Sequence, residues 1–420
     1  KPAKELKMKK AILAIAIVSL FSGSAMAEAG RTSTGVNGVT IDLVGDFYNP
    51  NDTQMLQETT PVIKFDGLTV EGGKQVVKGY VEAFGTNVHK DDIAGKLAQL
   101  NDEYNEAELK GIIATMDLLK ADFPGLLNYY QGIGEATGYT LEETYLAAWA
   151  SDGLFAKMVQ DVGKHILADL KESTDKTRGC TAIGWDNGVI GQNQDMPISL
   201  GGHGAILKSA DLIVHAPEPF FNAIAMGRGL STTANTVDAF HASALEDGVP
   251  MSGLAMAMAN KFDDANVAKD TLQDIRTNSA VALGLSDLKG NVMHIENQLG
   301  KNIVLDGTLR GYTVHTNHPI GQEQALVDTY ANGDAQAFDY AVKTTLWRNE
   351  HAEVAAKFSP TKDVAALKDL FLQKPLLKSP YEGNEFVTTN AIIHDLNEGC
   401  TYGTTWMPSM QEYTQVCFDK

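Results

Sequence analysis

The chain has 420 residues, with 34 Lys and Arg against 53 Asp and Glu and a formal charge of −19 at pH 7. So acidic a chain repels nucleic acid and anionic lipid headgroups alike, which excludes both as expected partners. No Pro/Gly/Ser linker, low-complexity tract or internal repeat interrupts it, so one large domain or two closely packed ones are expected.

In chain order, the first recognisable segment runs from Met8 to Ala27. Lys9-Lys10, the apolar run Ala11 to Phe21 and the small residues Ala25-Met26-Ala27 form the three parts of a secretory signal cleaved after Ala27. The run is too short to cross a bilayer as a helix, and no cysteine follows the cleavage point to carry a lipid anchor. Lys1 to Lys7 read as an extension ahead of an initiator Met8. The expected product therefore begins at Glu28 and is periplasmic or secreted, without a membrane anchor.

Short strands are predicted at Thr40 to Phe47 and Val62 to Val70. From Lys78 to about Trp149 the pattern becomes helical, with Ile93, Leu97 and Leu100 on one face and Leu109, Ile112, Ile113 and Met116 on another. Gly132-Ile133-Gly134-Glu135-Ala136-Thr137-Gly138 has one residue too many for a dinucleotide fingerprint and follows a helix, so it reads as helix packing with a cap at Gly138. Thr140 with Glu143 then forms a capping box for the next helix, which continues over Leu146 to Ala168. Asp169 to Arg178 is charged.

Gly179 to Asp195 is where the functional reading begins. Asn187-Gly188 suits a two-residue type I′ turn, and apolar residues flank it, so a tight hairpin is predicted. Such a turn pairs Trp185 with Ile190 and, counting outward, Cys180 with Asp195, with Cβ atoms roughly 4.5–5.5 Å apart. Ala182, Gly184 and Gly191 leave space on that face. On the local pattern alone, a sheet-core hairpin with a buried cysteine and a turn aspartate fits equally well.

Beyond it, strands are predicted at Ala205 to Leu207, Leu212 to His215, Ala223 to Ala225, Ala280 to Ser286 and Val292 to Glu296, the last two joined by a turn at Lys289-Gly290-Asn291. Met251 to Asn260, Asp264 to Ile275 and Gln322 to Phe358 read as helices. Strands close the chain at Asn390 to His394, Thr401 to Thr405 and Gln415 to Phe418. Strands, helices and strands again, with antiparallel hairpins and no βαβ alternation, point to an α+β architecture. Of the three cysteines, an even subset should pair in an oxidising compartment; Cys400 and Cys417 flank a strand-rich segment whose ends a hairpin would bring together and are the expected pair, leaving Cys180 odd, although the sequence alone does not fix the pairing.

Gly179 before Cys180 allows a strained backbone at a bond about to be attacked. Attack of the Cys180 thiol on the Gly179 carbonyl, followed by hydrolysis, would free Cys180 as a new N-terminus. Its α-amino group, with a reference pKa of about 7.7–8.0, would then serve as the base for its own thiol. His315 and His318 lack a third ligand at sensible spacing, and Pro319 limits a helix there, so no metal site is expected. Cys180 with His315 also fails as a thiol-protease pair, because the cysteine lies in a hairpin and not at a helix N-terminus. His203, His215, His241 and His294 read as core or solvated residues, and Met251 to Met258 as core.

The block G-C-T…G-Q-N-Q-D resembles the G-C-T…G-Q-N-W-D signature of the isopenicillin N acyltransferase-like family (acyl-coenzyme A:6-aminopenicillanic acid acyltransferases and relatives), which are N-terminal nucleophile (Ntn) hydrolases related to choloylglycine hydrolases. Phe123-Pro124 through Ala136 and Thr140 to Glu143 resemble the family's upstream pattern. Gly229 to Thr236 resembles its G-L…N-T block, Gly248-Val249-Pro250 its G-[VL]-P turn and Val314 to His318 its H-T-N-H block, in the right order over Leu109 to Asp395.

The resemblance implies a four-layer αββα sandwich with two antiparallel sheets, Cys180 as nucleophile, Asp195 as partner of its amino group and Asn317 as oxyanion donor. Asn235 would line the oxyanion region and position the amine, and Thr388 matches a C-terminal hydroxyl position. Gln194 stands where the family has an aromatic residue, which alters the pocket wall. One Ntn domain over residues 28–420 would divide at Gly179-Cys180 into an α chain of residues 28–179 and a β chain of residues 180–420, partnered with each other. The implied activity is hydrolysis of a linear amide in a small N-acyl substrate, without cofactor or metal. Acyl transfer is the alternative, although acyl-coenzyme A is a cytosolic donor; an exported binding protein that keeps the fold without activity is the other.

Overall fold

The computed structural model describes residues 33–34, 40–41, 59–154, 179–197, 203–237, 248–279, 281–298, 301–321, 335–378 and 386–420. The expected signal segment, most of Thr40 to Phe47, the helix beyond residue 154, Asp169 to Arg178 and His241 lie outside them. A short strand, Val62–Lys64 (β1), leads through a turn at Gly67 into helix Val70–Phe84 (α1). The strand thus stops well before Val70, because the Thr69 side chain accepts from the Gly72 N–H and starts the helix.

Helices Val88–Glu103 (α2), Glu106–Ala114 (α3), Met116–Lys120 (α4), Pro124–Thr137 (α5) and residues 141–154 (α6) follow. Gly138 ends α5 at φ 87° with its N–H on the Gly134 carbonyl, and Thr140 with Glu143 forms the capping box of α6. A Cβ at Gly132 would stand 1.9 Å from the Val70 carbonyl oxygen, so the glycine-rich run serves close packing of α5 on α1, as expected.

Next come strands Thr181–Trp185 (β2), Val189–Pro197 (β3), Ala205–Lys208 (β4), Leu212–Ala216 (β5), Ile224–Gly227 (β6) and Leu230–Thr236 (β7). Helices Met251–Lys261 (α7) and Ala265–Gln273 (α8) precede strands Val281–Asp287 (β8), Val292–Gln298 (β9), Lys301–Asp306 (β10) and Tyr312–His315 (β11). Helices Ala335–Phe358 (α9) and Val364–Phe371 (α10) lead to strands Phe386–Asp395 (β12), Cys400–Gly403 (β13) and Thr414–Cys417 (β14).

Besides a two-stranded pairing of Ser33–Thr34 with Thr40–Ile41, one large sheet has the order β10-β9-β8-β7-β6-β5-β4-β1 and the other β11-β2-β3-β12-β13-β14. All pairings within them are antiparallel except β1 with β4, which run parallel at one edge. Side-chain alternation divides the layers. Leu207, Leu212 and Val214 join the core under α1, α5 and α7, whereas Ile206 and Ile213 point to the opposite face and pack with Val416 of the other sheet and with Leu396 just past β12. On the second sheet, Ile183, Trp185 and Ile393 pack with Ala352, Ala356 and Phe371 of α9 and α10. The architecture is therefore α+β in four layers, helix–sheet–sheet–helix. Cys400 and Cys417 sit directly opposite each other on β13 and β14 and form a disulfide.

Candidate active site

The β2–β3 hairpin forms as expected, but with a different turn. Thr181 pairs with Asn193, Ala182 with Gln192, Ile183 with Gly191 and Gly184 with Ile190. The ladder leaves a three-residue loop, Asp186-Asn187-Gly188, in which Gly188 takes φ 83° and the Asn187 side chain accepts from the Val189 N–H. One residue of offset moves alternate side chains to the other face. Cys180 and Asp195 are therefore not a directly opposed pair.

The two faces show where each goes. Asn193 donates to the carbonyls of Phe371 and Leu376 on the helix side, and Asp195 shares that side. Its Oδ1 accepts from the Thr388 hydroxyl at 2.7 Å, and its Oδ2 lies 3.0 Å from Lys378 Nζ. Gln192 faces the other sheet, where its amide clasps Ala234 of β7 by accepting from its N–H at 2.8 Å and donating to its carbonyl at 2.6 Å. The Cys180 thiol lies against the Gln192 amide and the Asp195 backbone N–H. Carboxylate and thiol remain neighbours, now through the backbone of β3.

Burial pushes the Cys180 thiol up to about 11, and the Asp195 carboxylate adds to this; the Asp195 N–H, Arg348 and Gln192 oppose it. The thiol of the continuous chain is therefore protonated at neutral pH, and attack requires a base. Cys180 is the free cysteine, and it is buried.

Gly179 has φ 103°, and a Cβ there would fall 1.9 Å from Asn317 Oδ1. The peptide on the acyl side of Cys180 is thus pressed against the Asn317 amide in a conformation that suits glycine. Asn317 is held from several directions. Its Nδ2 donates to the Thr236 carbonyl at 2.7 Å, its Oδ1 accepts from Arg348 at 2.8 Å, and its N–H donates to the Thr345 hydroxyl at 2.8 Å. One hydrogen of the amide is thereby committed. Asn235 acts one step back: its Nδ2 donates to the carbonyls of His315 and Thr316, fixing the backbone that carries Asn317, and its buried Oδ1 has no partner among the described residues.

Residues that the sequence reading did not single out complete the arrangement. Arg348 on α9 is 1% exposed. It donates to the Cys180 carbonyl, to the Thr181 hydroxyl at 3.1 Å and to Asn317. Thr345 stands one turn before it on the same helix and also binds the His318 N–H at 3.1 Å. Lys378, 5% exposed, is the cation on Asp195. In sequence, Arg348 is one charge in a helical run and Lys378 one lysine between Leu377 and Ser379, so neither carries a signal before the sheets are assembled.

His315 sits in a buried pair. Its Nε2 bonds the buried carboxylate of Glu296, whose other oxygen accepts from the Ile320 N–H at 3.0 Å, and His318 stacks beside it. Among the described residues no group of three His, Cys, Asp or Glu could hold a metal ion. Gln194 is buried against β12, its carbonyl accepting from the Thr389 hydroxyl.

No family model matches the sequence. No curated protein matches it either. Among solved structures the chain is similar to a penicillin V acylase from Agrobacterium tumefaciens, at 14% identity and a TM-score of 0.34 over 54% of this chain and 82% of that one. It is also similar to two variants of a conjugated bile acid hydrolase from Clostridium perfringens. The cysteine-to-alanine mutant gives 13% identity and a TM-score of 0.38 over 58% of this chain and 98% of that one. The arginine-to-leucine variant gives 13% identity and a TM-score of 0.30 over 59% and 91%.

Proposed function

We propose that this chain is a self-processing cysteine hydrolase of the N-terminal nucleophile type, akin to the isopenicillin N acyltransferase-like family, that cleaves a linear amide bond in a small N-acyl substrate. The observation that carries the reading is the Gly179-Cys180 bond itself. Its acyl side has a positive φ and lies against the Asn317 amide, while Arg348 grips the carbonyl on its other side.

In maturation, the Cys180 sulfur would bond to the Gly179 carbonyl carbon, the C–N bond would break, and the thiol proton would pass to the departing α-nitrogen. Water would then hydrolyse the thioester, leaving a Gly179 carboxylate and a free Cys180 amino-terminus beside Asp195. In turnover the amine would take the thiol proton, the thiolate would attack the substrate carbonyl, and Asn317 would donate to the developing oxyanion. The proton would return to the leaving amine, and water would release the acid. Export of residues 28–420, division into chains of residues 28–179 and 180–420, and preference for water over an acyl acceptor belong to the same proposal. The Cys400–Cys417 disulfide supports the oxidising compartment.

Intact mass tests the reading. Wild-type protein should resolve into two chains divided at Cys180, and Cys180→Ala should remain one chain. An undivided wild-type chain that releases no amine from a panel of N-acyl amino acids, acylated lactones, penicillins and bile-acid conjugates would overturn it. Product that forms only on addition of an amine acceptor or thioester donor would favour acyl transfer.

A further inference from the structure

Asp195 already has one hydrogen bond and one ion-pair contact before any amino-terminus exists. Thr388 donates to one oxygen at 2.7 Å and Lys378 Nζ stands 3.0 Å from the other, with both charged side chains buried to 5% exposure or less. The Lys378 backbone is fixed by the same threonine. Its N–H donates to the Thr388 hydroxyl at 2.9 Å, and its carbonyl accepts from the Thr388 N–H at 3.1 Å. The ammonium is thus anchored at the carboxylate by the strand that supplies the carboxylate's other partner.

This matters for a nucleophile that must lose its proton. A lone buried carboxylate beside the thiol and the amino group of Cys180 would favour the protonated form of both, since a negative charge opposes a thiolate and stabilises an ammonium. We propose that Lys378 is a positioning residue of the Cys180 site: its ammonium cancels the charge of Asp195, so the carboxylate can orient the Cys180 amino group without locking protons onto it. The inference rests on the proposed function for the amino group but not for the thiol, which feels the Asp195 charge across the backbone of β3 in the continuous chain as well.

The charged and titratable groups facing this point are the Cys180 thiol at the start of β2, Asp195 on β3, Arg348 on α9 and Lys378 itself; the Glu296–His315 pair lies one strand further on. Burial and then Asp195 push the thiol up, while burial pulls Lys378 down to about 8 against the Asp195 carboxylate, which holds it up; Arg348 lowers it further and Cys180 raises it.

The test needs no substrate. Cys400 and Cys417 are joined, so iodoacetamide reports on Cys180 alone. The alkylation rate is followed against pH on the full protein as isolated, alongside its intact mass, for wild type, Lys378→Met and Lys378→Arg. Lys378→Met should move the midpoint upward by about one unit or more, the size expected when a charge is left unbalanced within a few ångströms. Lys378→Arg should restore it.

A purely structural ion pair would change the unfolding temperature and leave the midpoint alone. An unchanged midpoint in folded Lys378→Met overturns the proposal, as does a Lys378→Arg midpoint that moves with it. If Lys378→Met does not fold, Lys378→Gln, which removes the charge but keeps a hydrogen-bond donor, takes its place: the same upward shift is expected, and an unmoved midpoint overturns the proposal. An undivided wild-type mass removes the self-processing reading; the alkylation rate of that same chain at pH 7, below the value of about 8 at which Lys378 loses its charge, then decides the role of Lys378, falling in Lys378→Met if the proposal holds and staying at the wild-type rate if it does not.

Discussion

A methyl group added at Gly179 meets two separate obstacles. The backbone there has φ 103°, and a left-handed conformation costs a non-glycine residue about 1–2 kcal/mol. The new Cβ would also stand 1.9 Å from Oδ1 and 2.1 Å from Cγ of Asn317. The amide must then leave its 2.7 Å bond to Thr236 and its 2.8 Å bond from Arg348. Loss of a placed oxyanion donor slows acyl transfer by about 10²–10³-fold. Gly179→Ala should therefore lower stability by about 1–2 kcal/mol and slow division of the chain by about 10²-fold or more. The assay is a time course of intact mass on freshly isolated protein, with urea unfolding of a Cys180→Ala background to isolate stability from cleavage. Asn317→Ala removes the donor without the backbone strain and should slow division comparably while costing less stability through Gly179. Gly179→Ala that divides at the wild-type rate would refute both the contact and the identity of the bond.

Three further outcomes follow from the packing. Arg348→Met strands the Cys180 carbonyl, Thr181 and Asn317 together; a hydrogen bond from a charged group contributes about 1.5–3 kcal/mol, so urea unfolding free energy should fall by at least that amount and chain division should cease. Replacing Cys400 and Cys417 by serine opens a loop with a sequence separation of 17, and calorimetry should show a loss of about 3 kcal/mol with the alkylation midpoint of Cys180 unmoved. Burial holds His89 down to about 3, His215 to about 4 and His394 to about 3. Because these folded values lie below the unfolded one, their stabilisation is complete above about pH 6.5 and is lost as pH falls toward 4, at up to about 1.4 kcal/mol per unit for each. Asp152, raised to about 6 by burial, has the opposite sign, with stability greatest below its unfolded value near 3.9 and lost as pH rises through 6. The histidines outnumber it, so the urea midpoint should be lower at pH 5 than at pH 7.

Local signals in the sequence translated directly into local structure. Gly138 caps α5 and Thr140 starts α6 because both motifs act through backbone groups a few residues away. The hairpin after Cys180 was equally legible, yet its register was not. Asn187-Gly188 serves a two-residue turn or the end of a three-residue one, and the choice was settled by the strands that flank β2 and β3 in the sheet. The resulting offset of one residue moved Asp195 to the helix side, where Thr388 and Lys378 meet it. The strand at Leu230–Thr236 was visible only as a motif block, since its threonines and asparagine show no apolar alternation; between two packed sheets those polar side chains find backbone partners such as the Ala223 and His315 carbonyls.

By itself, the sequence determined the α+β class and the glycine before Cys180, because each is a property of residue type and pattern; the distant asparagines came from the family resemblance, and the free thiol from the pairing of Cys400 with Cys417 in the fold. Only the tertiary structure decided what those residues face. Arg348 lies 168 positions from Cys180 and Lys378 lies far from Asp195 along the chain; a charge becomes part of a site when sheet and helix packing bury it against a partner. The bond from Gly179 to Cys180 is marked in the sequence by one glycine, and in the fold by the Asn317 amide that leaves room for nothing larger.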